Sequence, residues 1–178
     1  MSRYDEIFND ALDALHAERR YRVFADLERK AGQFPVATLR EDDGSQRDIT
    51  IWCSNDYLGM GQHPDVVAAM CETAHRTGVG AGGTRNISGT NRPLVELENE
   101  LAELHGKEAA LVFTSGYVSN LAGISTIARL LPDCVVLSDQ LNHASMIDGV
   151  KTSRATKQIF RHNDLGHLEE LLQALPLE

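Results

Sequence analysis

Apolar and polar residues recur along the chain with two different periods, which predict helices and strands. Residues 3–31 carry apolar side chains at roughly helical spacing and are predicted to form one long amphipathic helix. Residues 36–52 predict a β-hairpin, because two short runs with β-branched residues flank a polar turn at 43–44. A further helix is predicted over 63–77, since its early proline suits a first helical turn.

Helix and strand patterns then alternate up to the last residues. The predicted elements are a helix at 93–105, a strand at 109–113, a helix at 117–131, a strand at 134–137, a helix at 145–153, a strand at 156–160 and a helix at 165–175. Apolar strands separated by amphipathic helices are typical of an α/β protein with a mostly parallel sheet. We therefore expect a helix and β-hairpin segment at 1–54, followed at 55–178 by the N-terminal part of a longer α/β domain.

Composition narrows the classes of function. The net charge of -9 and the lack of a long basic run argue against nucleic-acid binding. The sequence contains no apolar run of about 18 residues, so no membrane span is predicted. The acidic N-terminus does not resemble a secretory signal. Cys53, Cys71 and Cys134 are widely spaced, which predicts free, buried thiols. We expect a cytoplasmic protein that binds neither nucleic acid nor membrane.

A glycine-dense loop at 78–90 is the first candidate for ligand binding. Three of its glycines match the dinucleotide pattern GxGxxG, but a predicted helix precedes the loop where that motif requires a strand, so the dinucleotide interpretation fails. A flexible connector between helices is the simplest alternative. Glycines also let a backbone approach a ligand closely, and Thr84, Arg85 and Asn86 offer polar groups to an anion.

The second candidate is the segment 113–120, where a predicted strand turns into a predicted helix. Backbone N–H groups at the start of a helix favour a phosphate. Ser115 and Gly116 occupy this turn, and the Tyr117 ring follows them. The competing interpretation is an ordinary connection in which Thr114 or Ser115 caps the helix.

The third candidate, residues 137–145, begins at the carboxyl end of a predicted strand, where open α/β sheets bind ligands. His143 could stack on a ligand ring or act as an acid or base. Alternatively, Asn142 caps the next helix and His143 is a half-buried structural residue. No His, Cys, Asp or Glu residues have metal-ligand spacing, and helical acidic residues such as Glu98 are expected on solvated faces.

Five motifs in a fixed order resemble the α-oxoamine synthases, a family of fold-type I pyridoxal phosphate (PLP) enzymes. The motifs lie at 55–59, 80–85, 88–90, 113–117 and 139–145. The resemblance runs from about residue 3 to the end of the chain, and the collinearity of the motifs makes it specific. It implies that the α/β part belongs to the large, PLP-binding domain of a transferase.

The resemblance is greatest to the members of this family that condense glycine with succinyl-CoA, with loss of CoA and CO2, to form 5-aminolevulinate for tetrapyrrole and heme biosynthesis. It implies PLP as the cofactor, succinyl-CoA and glycine as the substrates, and a homodimer. The cofactor contacts that it implies are Ser115, Gly116, Tyr117 and His143, with His143 also as a catalytic group. The substrate contacts that it implies are Arg22, Asn55, Thr84, Asn86, Ser138 and Lys157.

These implied substrate contacts divide by the part of the substrate that they meet. The resemblance assigns Arg22 and Thr84 to the succinyl carboxylate, with Asn86 near that end. It assigns Asn55 to the glycine site. Ser138 and Lys157 are assigned to the CoA-bearing substrate.

Two alternatives remain open at this point. One is another α-oxoamine synthase, such as 8-amino-7-oxononanoate synthase; Arg22 with Thr84 favours a succinyl substrate instead, because a carboxylate needs such donors. The other is a truncated paralogue without catalysis. The family's Schiff-base lysine has no counterpart among the lysines present, so a polypeptide of these 178 residues is expected to be inactive.

Overall fold

The computed structural model describes residues 2–176 and divides into two compact units after Gly80. The first unit contains α1 (Arg3–Ala17), β1 (Asp26–Arg29), β2 (Val36–Arg40), β3 (Gln46–Thr50), a 3₁₀ turn (Met60–Gln62) and α2 (Pro64–Thr77). Its three strands form an antiparallel sheet in the order β1-β2-β3. The domain boundary expected after residue 54 stays a prediction.

Helix α1 is shorter than its hydrophobic pattern predicts. A capping box starts it, in which the Asp5 N–H donates to Ser2 Oγ at 3.3 Å and the Ser2 N–H donates to the Asp5 carboxylate at 2.7 Å. The helix ends before Arg19, which adopts a left-handed φ of 56°. The prediction of a helix through residue 31 is wrong, because β1 pairs antiparallel with β2 and this non-local pairing overrides helical periodicity.

The other predicted elements of the first unit are confirmed. The hairpin is formed by β2 and β3, whose register aligns Val36 with Thr50. In α2, the His63 imidazole caps the N-terminus and Pro64 lies in the first turn. These elements are specified by local signals, namely a turn between two short strands and a capped helix start.

The second unit contains a π-helical turn and a series of helices and parallel strands. Its elements are the turn (Arg85–Gly89), α3 (Arg92–Leu104), α4 (Gly116–Leu130), β4 (Val135–Asp139), α5 (Ala144–Ser153), β5 (Thr156–Phe160) and α6 (Leu165–Gln173). Strands β4 and β5 are parallel, with Val135 opposite Thr156, and α5 is the crossover between them. This arrangement confirms the predicted α/β class.

Residues 109–113 do not form the predicted strand. Within residues 2–176 they pair with no neighbouring strand. The Val112 N–H instead donates to Glu98 Oε1 at 2.7 Å, and the Val112 carbonyl accepts from Arg85 at 2.9 Å. At Val112, an ion pair therefore occupies the backbone groups that a strand partner could satisfy.

Helix α5 packs closely on α4. A Cβ at Gly149 would lie 3.0 Å from both Asn120 O and Ile124 Cβ, so the approach of the two helices depends on glycine at this position. Ala128 of α4 and Val150 of α5 are among the buried apolar residues. This packing fixes the start of α4 relative to α5, and both helix starts carry predicted site residues.

The cysteines and helices bear on two further expectations from the sequence. All three cysteines are free, but Cys53 and Cys71 are exposed and Cys134 is half-buried, so the expectation of buried thiols is wrong. None of the helices between residues 2 and 176 combines the length and apolar character that a membrane span requires.

Candidate active site

The predicted phosphate site lies at the start of α4. Ser115 caps this helix, because its Oγ accepts the Val118 N–H at 3.2 Å. The N–H groups of Gly116 and Tyr117 have no hydrogen-bond partner among residues 2–176. They are therefore available to an anion at the positive end of the helix. A Cβ at Gly116 would meet no atom within 4 Å, so the space beside this residue is open to a ligand.

The His143 ring is oriented by Ser145. His143 Nδ1 accepts the Ser145 N–H at 3.2 Å and lies 2.7 Å from Ser145 Oγ, which accepts from the Asn120 amide at 3.0 Å. Ser145 is fully buried, so this bridge holds the ring against both α4 and α5. Since Nδ1 is an acceptor, the network assigns the proton of the neutral imidazole to Nε2.

His143 is also the residue that caps α5. Its side chain is exposed. The alternative from the sequence, in which Asn142 caps the helix and His143 is half-buried, is therefore wrong. His143 Nε2–H remains as a donor for a ligand that binds beside the ring.

The rings of Tyr117 and His143 lie edge to face, with centroids 6.1 Å apart and planes at 72°. The Tyr117 hydroxyl donates to the Asp148 carboxylate of α5, and this hydrogen bond raises the pKa of the tyrosine above its ordinary value. Two oriented rings thus lie at the helix start that offers two free N–H groups. The arrangement suits a flat aromatic ring that carries a phosphate, which is the chemistry of PLP.

Ser138 and Lys157 line one cavity of about 160 Å³. The register of β4 and β5 places Val136 opposite Lys157, so Ser138 and Lys157 lie on the same face of the sheet. Ser138 is buried and its Oγ accepts from the Asn142 amide at 2.9 Å, whereas Lys157 is exposed. The cavity therefore combines an inner hydroxyl with an accessible ammonium group.

Asp139 anchors the loop that carries His143. Its carboxylate accepts the Asn163 N–H at 2.9 Å, His162 Nδ1 at 2.8 Å and the Leu141 N–H at 2.7 Å. These three donors, in that order of importance, lower the pKa of Asp139 to about 2. His162 thus helps to fix the loop that begins at Asp139. Within residues 2–176, no cluster of His, Cys, Asp or Glu side chains could hold a metal ion.

The glycine loop brings Thr84 and Asn86 together. Thr84 Oγ1 donates to Asn86 Oδ1 at 2.8 Å, and both residues are exposed. The loop folds back on itself so tightly that a Cβ at Gly89 would lie 2.1 Å from the Gly83 carbonyl oxygen. Glycine at position 89 is therefore required for the conformation that pairs the two predicted substrate contacts.

Glu98 is a residue whose role the sequence analysis missed. It forms a two-point ion pair with Arg85 at 2.7 and 2.8 Å, and its side chain is only 14% exposed, so the expectation of a solvated position is wrong. Arg85 and then the Val112 N–H lower the pKa of Glu98 to about 2. A signal was present: Glu98 follows Leu94 by four residues and precedes Leu101 by three, so it lies on the apolar stripe of α3.

Arg22 and Asn55, two predicted substrate contacts, lie in the first unit. Arg22 is exposed in the segment between α1 and β1, and its guanidinium makes no hydrogen bond or ion pair within the described part of the chain. Asn55 is exposed in the loop before the 3₁₀ turn. The roles of both residues stay predictions.

Comparison with known proteins places these features in a family. Residues 47–177 match the family model described as aminotransferase class I and II. The chain is 68% identical over 171 residues to 5-aminolevulinate synthase from Bradyrhizobium diazoefficiens and 55% identical over 172 residues to 5-aminolevulinate synthase 1 from Cereibacter sphaeroides. These matches cover 96% and 97% of the chain, which spans 42% of the length of each relative.

A solved structure is similar as well. It is serine palmitoyltransferase from S. paucimobilis with a bound PLP–myriocin aldimine, with a TM-score of 0.80 and 31% sequence identity. The match covers 98% of this chain and 42% of that chain.

Proposed function

Because the chain belongs to the class I and II aminotransferase family, we propose that it is part of a PLP-dependent enzyme that condenses glycine with succinyl-CoA to 5-aminolevulinate, CoA and CO2. The identity of 68% to a 5-aminolevulinate synthase, maintained over 96% of the chain, is the observation that carries this proposal. The matched region includes every residue assigned above to the cofactor and the substrates.

The start of α4 fits the cofactor phosphate. We infer that the N–H groups of Gly116 and Tyr117 and the Ser115 hydroxyl bind it, because these groups surround the positive end of a helix. His143 and Tyr117 orient the cofactor ring, and His143 Nε2–H is a donor for the hydroxyl oxygen attached to that ring. PLP, when bound, supplies an electron sink for the charge that develops on the glycine α-carbon.

The remaining residues recognise the substrates in this proposal. Thr84 and Asn86, which are hydrogen-bonded to each other, bind the succinyl carboxylate. Arg22 is proposed as a substrate contact in its own right, because its planar guanidinium suits a carboxylate. Ser138 and Lys157 line a cavity that receives part of the CoA moiety, with the lysine ammonium at an anionic group. Asn55 lies at the glycine site.

Three further properties belong to this proposal. The full-length protein is a homodimer, and it is located in the cytoplasm. A polypeptide of only these 178 residues does not complete the reaction, because Lys30, Lys107, Lys151 and Lys157 lack the sequence context of the Schiff-base lysine. The purified 178-residue polypeptide should form no 5-aminolevulinate above a control without enzyme, and sedimentation of the full-length protein should give a dimer.

The activity test uses the full-length protein with PLP, glycine and a panel of acyl-CoA thioesters. We expect kcat/KM for succinyl-CoA to exceed that for butyryl-CoA, because only succinyl offers a terminal carboxylate to the polar groups assigned to it. Equal or higher kcat/KM for butyryl-CoA would contradict the proposed acyl substrate. Turnover without PLP would contradict the proposed cofactor.

A further inference from the structure

The Arg85–Glu98 ion pair occupies the place of a neighbouring strand at Val112. Glu98 Oε1 accepts the Val112 N–H at 2.7 Å, and Arg85 Nη1 donates to the Val112 carbonyl at 2.9 Å. The two side chains are themselves joined at 2.7 and 2.8 Å. They therefore satisfy the N–H and C=O of one residue, as a strand partner would do in a sheet.

This cluster connects the two halves of the candidate site in the second unit. Arg85 lies between Thr84 and Asn86, the residues assigned to the succinyl carboxylate. Val112 lies on the segment that leads into Ser115 and Gly116, where the cofactor phosphate is expected. Glu98 contacts both Arg85 and Val112 through a single carboxylate, and it is the only member of the cluster that lies on α3.

We propose that Glu98 is a positioning residue for acyl-CoA recognition: through Arg85 and Val112 it sets the distance between the succinyl-binding loop and the start of α4. This inference rests on the proposed function, which assigns Thr84 and Asn86 to the succinyl carboxylate. We assign Glu98 no direct contact with substrate or cofactor. Its effect follows from geometry, since displacing binding groups by about 1 Å is enough to weaken recognition and turnover strongly.

A second ion pair on the same helix provides a matched control. Glu96 pairs with Arg92 at 2.6 Å, but the two side chains are 50% and 71% exposed and form no other side-chain hydrogen bond or ion pair among residues 2–176. Glu98 is 14% exposed and Arg85 38% exposed. An exposed pair is screened by water and contributes little, so Glu96→Gln changes the same residue type on α3 without altering the Val112 connection.

Glu98→Gln has a defined defect. The glutamine carbonyl can still accept from Val112, but its NH2 group faces an Arg85 N–H donor, so one charge-assisted hydrogen bond is replaced by a donor facing a donor. In the full-length protein we expect KM for succinyl-CoA to rise about tenfold and kcat/KM for butyryl-CoA to change by less than about threefold. Titration of the apoprotein with PLP, followed by visible absorbance, should show weaker cofactor binding.

The Glu96→Gln protein should match the unmodified protein in both kinetics and PLP titration. A parallel loss of kcat/KM for succinyl-CoA and butyryl-CoA in Glu98→Gln, with an unchanged PLP titration, would overturn the inference, because a merely structural defect does not discriminate between acyl tails. Identical behaviour of the Glu98→Gln and Glu96→Gln proteins would overturn it as well.

Arg85→Lys is the second variant and covers the case in which Glu98→Gln does not fold. Lysine keeps the positive charge but cannot contact both carboxylate oxygens and the Val112 carbonyl with a planar fork. It should give the same succinyl-selective loss, at least several-fold in kcat/KM. If the unmodified protein forms no 5-aminolevulinate, the proposed function fails; if it does and neither variant is selective, only the positioning role fails.

Discussion

Replacing Gly89 by alanine should disrupt the glycine loop, which we propose binds the succinyl carboxylate. The added Cβ would lie 2.1 Å from the Gly83 carbonyl oxygen and 2.8 Å from the Thr84 carbonyl carbon, whereas an ordinary contact needs at least 3.4 Å, so the backbone must separate by about 1.3 Å. The atoms that must move are backbone, which cannot rotate away as a side chain could. Overpacking of this kind costs about 1–3 kcal/mol of the free energy of unfolding.

The displaced segment carries Thr84, so the loss of function should exceed the loss of stability. A misplacement of about 1 Å at a binding group is associated with roughly a hundredfold loss of rate, and we expect a loss of this order in kcat/KM for succinyl-CoA in full-length Gly89→Ala. The Gly123→Ala protein is the control, since a Cβ there meets no atom within 4 Å and alanine favours a helix by about 1 kcal/mol. Unchanged kinetics in Gly89→Ala, with both variants folded by thermal unfolding, would refute the loop geometry.

Three further predictions concern single groups in the full-length protein. His143→Ala should weaken PLP retention and shift the visible absorbance of the cofactor; an unchanged spectrum with unchanged turnover would make His143 a structural cap only. Arg22→Leu should lower kcat/KM for succinyl-CoA about 10- to 100-fold, the loss of one charged hydrogen bond, with a smaller effect on butyryl-CoA; parallel losses would make Arg22 structural. The pKa values of Glu98 and Asp139 are lowered to about 2, so the interactions of these carboxylates stabilise the fold above pH 4.5, and this stability is lost as the pH falls towards 2. The free energy of unfolding, measured with denaturant, should therefore be lower at pH 3 than at pH 5. The difference between the two pH values should be smaller in Glu98→Gln.

The elements that the sequence predicted correctly are those with strong local signals. The hairpin of β2 and β3 has its own turn, and α2 has both a capping residue and an early proline. Strand β5 matches its predicted bounds at 156–160, because the short segment between two predicted helices leaves little choice of bounds. The starts of α4 and α5 likewise lie within one residue of their predicted positions, whereas the functional roles of Ser115 and His143 stay predictions.

The errors arose where distant residues decide local structure. Residues 26–29 continue the helical pattern of α1, yet they pair with β2, and nothing in their own periodicity encodes that partner. Residues 109–113 have a strand pattern but lack a strand partner within the described residues, and Glu98 and Arg85 bind the backbone groups of Val112 instead. Burial of a charged residue such as Glu98 depends on a partner 13 residues away, so helical phase alone gave only a weak indication of it.

The proposed reaction is tested most directly by following the carbon atoms of glycine during turnover by the full-length, PLP-loaded protein. Two parallel reactions with succinyl-CoA would contain glycine labelled with ¹³C either at the carboxyl carbon or at the α-carbon, and products would be identified by NMR. We expect the carboxyl label to be released as CO2 and the α-carbon label to appear in the aminomethyl carbon of 5-aminolevulinate. One CoA should be released for each product formed. Retention of the carboxyl label in the product, or release of CoA without 5-aminolevulinate, would contradict the proposed reaction.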